Sequence, residues 1–412
     1  MEQEAVNYIV LSIPIFFLLI GIELLVAKLS NSKLYRFNDA ITNISCGLGQ
    51  QILGVFLKSV LIIGYYFIYQ HYRFFDIASS WQTWIILFIG VDFFYYWFHR
   101  VAHEVSVVWG SHVVHHQSEE YNLTVALRQG WVQGIFSTSF YLPLALIGFD
   151  PFSFLTINSF QTLYQFWIHT KTINKLPAPI EYIFNTPSHH RVHHGVNSKY
   201  IDRNHGGTLI IFDRLFGTFQ EEEETVVYGV TQQPNSWNPL WLNIEYWVWM
   251  VSELKAASKW SDKFNILFNT PGWTPQSAKK TATPSPSVIQ NFQKYDTEVP
   301  MGLNYYVLLQ YMVLLFGATA FLFLGNNFEL LPRITIVFII IASLVNLGAI
   351  FEAKKWLWYA EPLRLLLGSA FVLSVFSHHS LVVWISITVA FYLLSSLVWL
   401  SGYSRLFKRD FK

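Results

Sequence analysis

Cysteine is almost missing from this 412-residue chain. Cys46 stands alone, which excludes an internal disulfide and any thiolate cage for zinc or an iron–sulfur cluster. Charge is scarce too. Only 13% of residues are charged, about half the usual 25% of a soluble domain. The net charge of +1 lacks the basic excess of a nucleic-acid-binding protein. The first residues, Met1–Asn7, carry no basic n-region, and the apolar run behind them has no small-residue cleavage site. That segment therefore reads as a retained first span rather than a signal peptide. No glycine-rich dinucleotide fingerprint and no haem module is legible, so electrons for any redox chemistry must come from outside the chain. The His-Glu-x-x-His pattern of zinc proteases is missing as well: His103-Glu104 is followed by Val105, Ser106 and Val107.

Apolar and aromatic residues fill that space. The chain is 53% hydrophobic and 18% aromatic, in runs long enough to cross a bilayer. Spans are expected near 8–28, 42–69, 82–99, 131–149, 152–169, 303–324, 333–351, 362–377 and 380–400, with the fourth and fifth joined at Asp150-Pro151. The fold class expected is all-α, a polytopic membrane protein of about nine transmembrane helices. Lys28, Lys33, Arg36, Arg100, Arg128, Lys354, Lys355, Lys408, Arg409 and Lys412 then all fall on the cytoplasmic side if the N-terminus is outside. Four parts follow: N-terminal helices over 1–80, a histidine-bearing catalytic part over 81–220, a cytoplasmic segment and linker over 221–300, and C-terminal helices over 301–412. Glu221–Glu224 reads as a solvated run. The C-terminal spans carry no chemical motif.

Ten of the fourteen histidines lie between residues 99 and 194. They form His99-x-x-x-His103, His112-x-x-His115-His116 and His189-His190-x-x-His193-His194, with His169 between the last two boxes. Residues three and four apart share a helix face, so each box can converge on a common point. Thr186 as N-cap, Pro187 at the first helical position and Gly195 behind the last histidine predict a short helix for the third box. Imidazole is a common transition-metal ligand, and eight to ten imidazoles suit two ions better than one. All three boxes fall at one membrane face, the cytoplasmic one. The firm ligand set is His99, His103, His112, His115, His116, His190, His193 and His194, with His169 and His189 as secondary ligands. His71, His378 and His379 are set aside. Asp92, two turns before His99 in an apolar span, is expected to orient a ligand histidine.

A thiolate-free histidine site accepts iron, zinc or copper, and spacing does not choose among them. Bis-histidine haem would leave most of the boxes unexplained, and a transporter would place ligands near the bilayer midplane. A redox di-metal enzyme acting on a membrane lipid is the leading reading. The alternative is a zinc-dependent membrane hydrolase or metal-handling protein.

In order and spacing, HRVAH, HVVHH and HHRVHH resemble the histidine boxes of the fatty acid hydroxylase / sterol desaturase superfamily, over residues 85–220. NLTVALRQ (122–129), QFWIHT (165–170), TPSHHRVHHG (186–195) and YIDRNHGG with FDRLFGTF (200–219) resemble the alkylglycerol monooxygenase branch and its bacterial relatives. Where relatives of that branch carry tyrosine, this chain has His205, a departure that either adds a ligand or is without consequence, the second being the preferred reading. The resemblance implies two iron ions, O2 as co-substrate, hydroxylation or desaturation of a lipid C–H bond, and a bacterial inner-membrane location. For the alkylglycerol branch it implies tetrahydrobiopterin as external reductant and cleavage of an ether lipid; a separate electron-donor protein is the other source of electrons. Asn122, Arg128, Gln129, Asp202 and Asn204 are the polar candidates for holding a cofactor or head group.

Overall fold

The computed structural model describes residues 11–275 and 292–408. The expectations placed on Met1–Asn7, on the middle of the 270–297 linker and on Arg409 and Lys412 lie outside those residues. The described chain is helical, with isolated bridges such as Gly195 with Tyr228 in place of a sheet. It divides into two compact units, the first built from the chain up to Pro234 together with Asn243–Lys294, the second from Asn235–Leu242 and Tyr295 onward.

In the first unit, α1 (Ile13–Leu29), α2 (Phe37–Tyr72) and α3 (Trp81–Glu104) are long and apolar. Ser80 starts α3 with a reciprocal cap: its hydroxyl accepts from Thr83 N–H at 3.2 Å, while Ser80 N–H donates to Thr83 Oγ1 at 2.9 Å. One extended residue, Val105 (φ −122°, ψ 116°), separates α3 from α4 (Ser106–His116). The helices α5 (Gln133–Ile147) and α6 (Pro151–Trp167) form the expected hairpin. Gly148 takes a left-handed φ of 119°, and the Asp150 carboxylate caps α6 by accepting from Ser153 N–H at 2.9 Å. Tyr65, Leu87, Val91, Tyr141, Leu144, Phe149 and Phe154 interlock α2, α3, α5 and α6 into one core. Short elements follow: α7 (Ala178–Ile183), α8 (Pro187–His193) and α9 (Ile211–Phe216). After them come α10 (Pro239–Ala256) and α11 (Trp260–Phe268).

The second unit is a helical array of α12 (Met301–Leu324), α13 (Leu330–Phe351), α14 (Leu357–Val375) and α15 (Val382–Ser401), closed by α16 (Ser404–Lys408). Among the described residues, five helices are long and apolar enough to cross a membrane: the Phe37–Leu57 part of α2, then α3, α12, α13 and α15. The chain is an integral membrane protein. The other four expected spans are all helices, but α1, α5 and α6 have 17, 15 and 17 residues. At 1.5 Å per residue, 17 described residues reach the lower end of the length that crosses a hydrocarbon core, and 15 lie just below it. The fourth, α14, is interrupted by Glu361, Pro362 and Arg364.

The C-terminal helices are not featureless. Glu361 is fully buried and accepts from Tyr306 Oη at 2.7 Å, Asn346 Nδ2 at 3.0 Å, and Arg364 Nη2 and Nε at 2.6 and 2.8 Å. Arg364 continues to Gln310 Oε1 at 2.8 Å. One ion pair thus ties α12, α13 and α14 together, with every lone pair satisfied. Removing one charge strands the other. Glu361→Ala or Arg364→Ala is expected to cost about 3–5 kcal/mol, while the paired change Glu361→Leu/Arg364→Met costs clearly less. Thermal unfolding of the purified protein in nanodiscs checks the order.

Candidate metal centre

The three boxes sit on three helices whose geometry sorts the imidazoles. His99 and His103 occupy the last turns of α3, and the break at Val105 folds α4 back beside them. Box three forms the short helix α8, with Thr186 at its N-cap and Pro187 at N1, as the sequence predicts. Gly195 differs in its reason. It is not left-handed; a Cβ there would lie 2.9 Å from Tyr200 and 3.0 Å from Val226, so glycine serves close packing.

Nine histidines gather in two groups. His99, His103, His112, His116 and His193 form one, and His115, His169, His190 and His194 the other. All nine are buried, and the donor nitrogens within each group lie within 4.8 Å of one another. The division follows helix periodicity. On α4 the i, i+4 pair His112 and His116 enters the first group while His115 turns to the second. At the end of α8 the i, i+4 pair His190 and His194 enters the second while His193 turns to the first. Two helices therefore run between the groups and feed both.

Hydrogen bonds fix which nitrogen faces inward. The Nδ1 atoms of His99, His115, His169 and His193 donate to the carbonyl oxygens of His205, Arg128, Gln165 and Arg203 at 2.8, 2.7, 2.7 and 3.0 Å. His112 Nδ1 meets Gln133 Oε1 at 2.8 Å. A carbonyl offers only lone pairs, so these Nδ1 atoms carry the proton and each Nε2 presents a bare lone pair. Two contacts set bare lone pair against bare lone pair: His99 and His112 approach Nε2 to Nε2 at 3.1 Å, and His115 and His169 at 3.3 Å. His116 Nε2 comes to 3.1 Å from His112 Nε2, and His190 Nε2 to 2.9 Å from His169 Nε2. The Nε2 atoms of His103, His193 and His194 are buried without any hydrogen-bond partner. Lone pairs facing one another in a dry interior repel unless a cation lies between them. This donor set fits two transition-metal ions.

Burial sets the electrostatics outside the spans. It pushes His112 down to about 3, with the neighbouring His103 adding to the effect. His116, His190, His193 and His194 are held well below the ordinary range by burial and by neighbouring imidazoles. These imidazoles are thus neutral at physiological pH, the form in which a histidine can bind a metal.

The other sequence-predicted residues scatter. His189 is outside both groups, with its Nε2 3.0 Å from Glu181 Oε2. Asp92 touches no ligand imidazole. Its two oxygens accept from Thr208 and Leu209 N–H at 2.7 and 2.9 Å. Its partner in this task, Asp213, escaped the sequence reading. Asp213 accepts from His205 and Gly206 N–H, both at 2.7 Å. Two buried carboxylates thus clamp the backbone of 205–209, the loop whose His205 carbonyl orients His99. Gly207 permits the clamp, since a Cβ there would lie 2.9 Å from Asp92 Oδ1 and 2.8 Å from Tyr95. His205 is also buried beside the first group, its ring centroid 5.1 Å from that of His103.

Among the candidates for holding a cofactor, Arg128 spends its donors on Val114 O, Asn43 Oδ1 and Gln117 Oε1. Asn122 binds Leu34 O and Thr124, and Asn204 binds His189 O and Gln220. Gln129 donates to Ala126 O at 3.0 Å. Asp202 keeps a side chain 46% exposed, 3.5 Å from His103 Nδ1. The acidic run is not merely solvated: Glu222 holds Arg191 of the third box at 2.6 Å, and that guanidinium donates to Thr170 O and Ile173 O beside His169.

Residues 84–218 match the fatty acid hydroxylase family. The chain is 38% identical over 376 residues to the alkylglycerol monooxygenase of Homo sapiens and 37% identical over 370 residues to that of Xenopus tropicalis. Each alignment covers 89% of this chain and 82% of the relative. A shorter similarity, 30% over 129 residues, links it to the ornithine lipid hydroxylase OlsE of Rhizobium tropici, across 31% of this chain and 39% of that protein. No solved structure matches the chain.

Two outcomes are expected. His115→Ala or His190→Ala lowers the bound metal by at least one ion per chain, whereas His189→Ala keeps the full content, as read by elemental analysis of folded protein. The second concerns pH. These histidines are neutral when folded but bind protons below about 6.5 when unfolded, so stability rises with pH in that window. As pH falls from about 6.5 toward the depressed folded values, each such histidine costs about 1.4 kcal/mol per unit. Metal-free protein should therefore melt at a lower temperature at pH 5 than at pH 7.5.

Proposed function

The chain belongs to the alkylglycerol monooxygenase family and is a lipid monooxygenase; from that premise we propose that it cleaves ether lipids with O2 at a di-iron centre. The observation that carries the metal assignment is the convergence of bare Nε2 lone pairs in two buried groups. In this reading all nine grouped histidines are ligands and His189 is not. Bound iron would supply the oxidising power to break a C–H bond. The protein's residues do the rest. Backbone carbonyls hold His99, His115, His169 and His193 in the ligating tautomer, Gln133 does so for His112, and the Asp92–Asp213 clamp fixes the loop behind His99.

The chemistry balances with one external two-electron reductant. One oxygen atom enters the C–H bond next to the ether oxygen and the other leaves as water. The resulting hemiacetal collapses, breaking the C–O bond to give glycerol and a fatty aldehyde. Depth supports this substrate. His99 and His103 lie at the very end of the candidate span α3, and the ether bond of an alkylglycerol lies next to the head group, at the same level of the bilayer. Tetrahydrobiopterin as the reductant follows from the family resemblance. Asp202, half exposed beside His103, is the side chain best placed to meet a reductant arriving from water. A separate electron-donor protein is the other possible source of electrons.

The catalytic part, 81–220, lies in this reading on the cytoplasmic side of a bacterial inner membrane, in a protein of about nine spans that counts the shorter helices α1, α5, α6 and α14 with the five long ones. The basic residues Lys28, Lys33, Arg36 and Arg100 support that orientation.

Membranes containing the protein, an alkylglycerol, reduced pterin and isotopically labelled O2 should yield labelled fatty aldehyde, trapped by in situ reduction. His193→Ala should abolish it. Oxygen-dependent modification of other lipids without aldehyde would overturn the substrate. Turnover without oxygen would overturn the oxygenase.

A further inference from the structure

The polar stretch between the histidine boxes and the C-terminal helices contains an amphipathic helix, α11. Trp260, Phe264 and Phe268 recur at i, i+4 and i+8 along one face, 84%, 63% and 49% exposed. Phe264 and Phe268 contact each other at 4.8 Å between ring centroids, and Lys263 Nζ lies 4.9 Å from the Trp260 ring. The opposite side is protein-facing: Ile266 is fully buried, and α11 packs on α4, which carries His112, His115 and His116. Lys255 and Lys259 lead into the helix and are exposed.

The position of α11 says what covers that face. Ser106 N–H, two residues past the end of the candidate span α3, donates to the carbonyl of Asn269 at the C-cap of α11 at 3.0 Å. The Ser106 hydroxyl also meets Tyr246 Oη of α10 at 2.9 Å. The aromatic stripe is therefore pinned at the level where a membrane-crossing helix ends. Rings with apolar bodies beside lysines suit that level, where head groups meet acyl chains.

We propose that α11 lies in the membrane interface, its Trp260–Phe264–Phe268 face embedded in lipid and its flanking lysines set against anionic head groups. The inference goes beyond the enzymatic reading and is independent of which lipid is oxidised. It gives α4 a support that rests on the bilayer itself.

The test uses the full chain in nanodiscs of mixed zwitterionic and anionic lipid, on a Cys46→Ala background. Trp260→Cys, Phe264→Cys and Phe268→Cys each carry a nitroxide label, and Ser258→Cys is the exposed polar control. Because the three aromatic sites are separate reporters, one variant that fails to fold leaves two readings. Folding is checked by size exclusion and metal content. The expected result is an oxygen-to-nickel accessibility ratio several-fold higher at the aromatic positions than at Ser258. Equal ratios at all positions would overturn the proposal, as would spin–spin broadening between labels of two chains, which would mean that a second copy covers the face.

Discussion

The repulsion among inward-facing imidazole lone pairs is the constraint on which the catalytic unit depends. Nine ring nitrogens meet in two buried places, and the outer nitrogens of five of those rings, His99, His112, His115, His169 and His193, are occupied by backbone carbonyls or by one glutamine. A polypeptide gains nothing from such an arrangement without cations. The supporting contacts make sense as the apparatus that holds it: the carboxylates under the 205–209 loop, Arg191 over the segment after His169, and Arg128 behind α4.

Much of this was legible from spacing. A histidine repeat of three and four specifies a helix face without knowledge of the fold, and Pro187 marks the start of α8. The merging of boxes from α3, α4 and α8 followed from their number alone. The further division into five and four could not be read in advance, since it depends on where each helix axis runs between the groups. The partners of Asp92 were equally hidden. An aspartate in an apolar helix announces that it must bind something, but its targets are amides more than a hundred residues away, and a backbone amide leaves no trace in sequence. Asp213 was missed because its targets are backbone amides too, and Gln133 because nothing in the sequence aims a helix-start glutamine at the outer nitrogen of His112. The acidic run misled because a string of glutamates looks the same whether it faces water or, as Glu222 does, the guanidinium of Arg191.

The two units handle buried polarity differently. In the first, lone pairs are left open toward an expected ion, and polarity serves chemistry. In the second, Glu361 and Arg364 are closed on each other and on Tyr306, Asn346 and Gln310, so polarity serves helix association. The difference is visible only in whether the buried atoms are satisfied. Composition alone could not separate the two.

The single extended residue between α3 and α4 has a consequence for how this protein can diverge. Because α4 alternates its histidines between the two groups, its rotation about its own axis is fixed by the chain length at that corner. One residue more or fewer there would move the start of α4, and each one-residue shift of register turns its histidines by about 100° about the helix axis, aiming His112, His115 and His116 at the wrong partners. Val105 can be exchanged for other residues able to adopt an extended backbone, but the corner cannot change length. Evolutionary drift there is confined to substitution, while gains and losses of sequence must accumulate elsewhere.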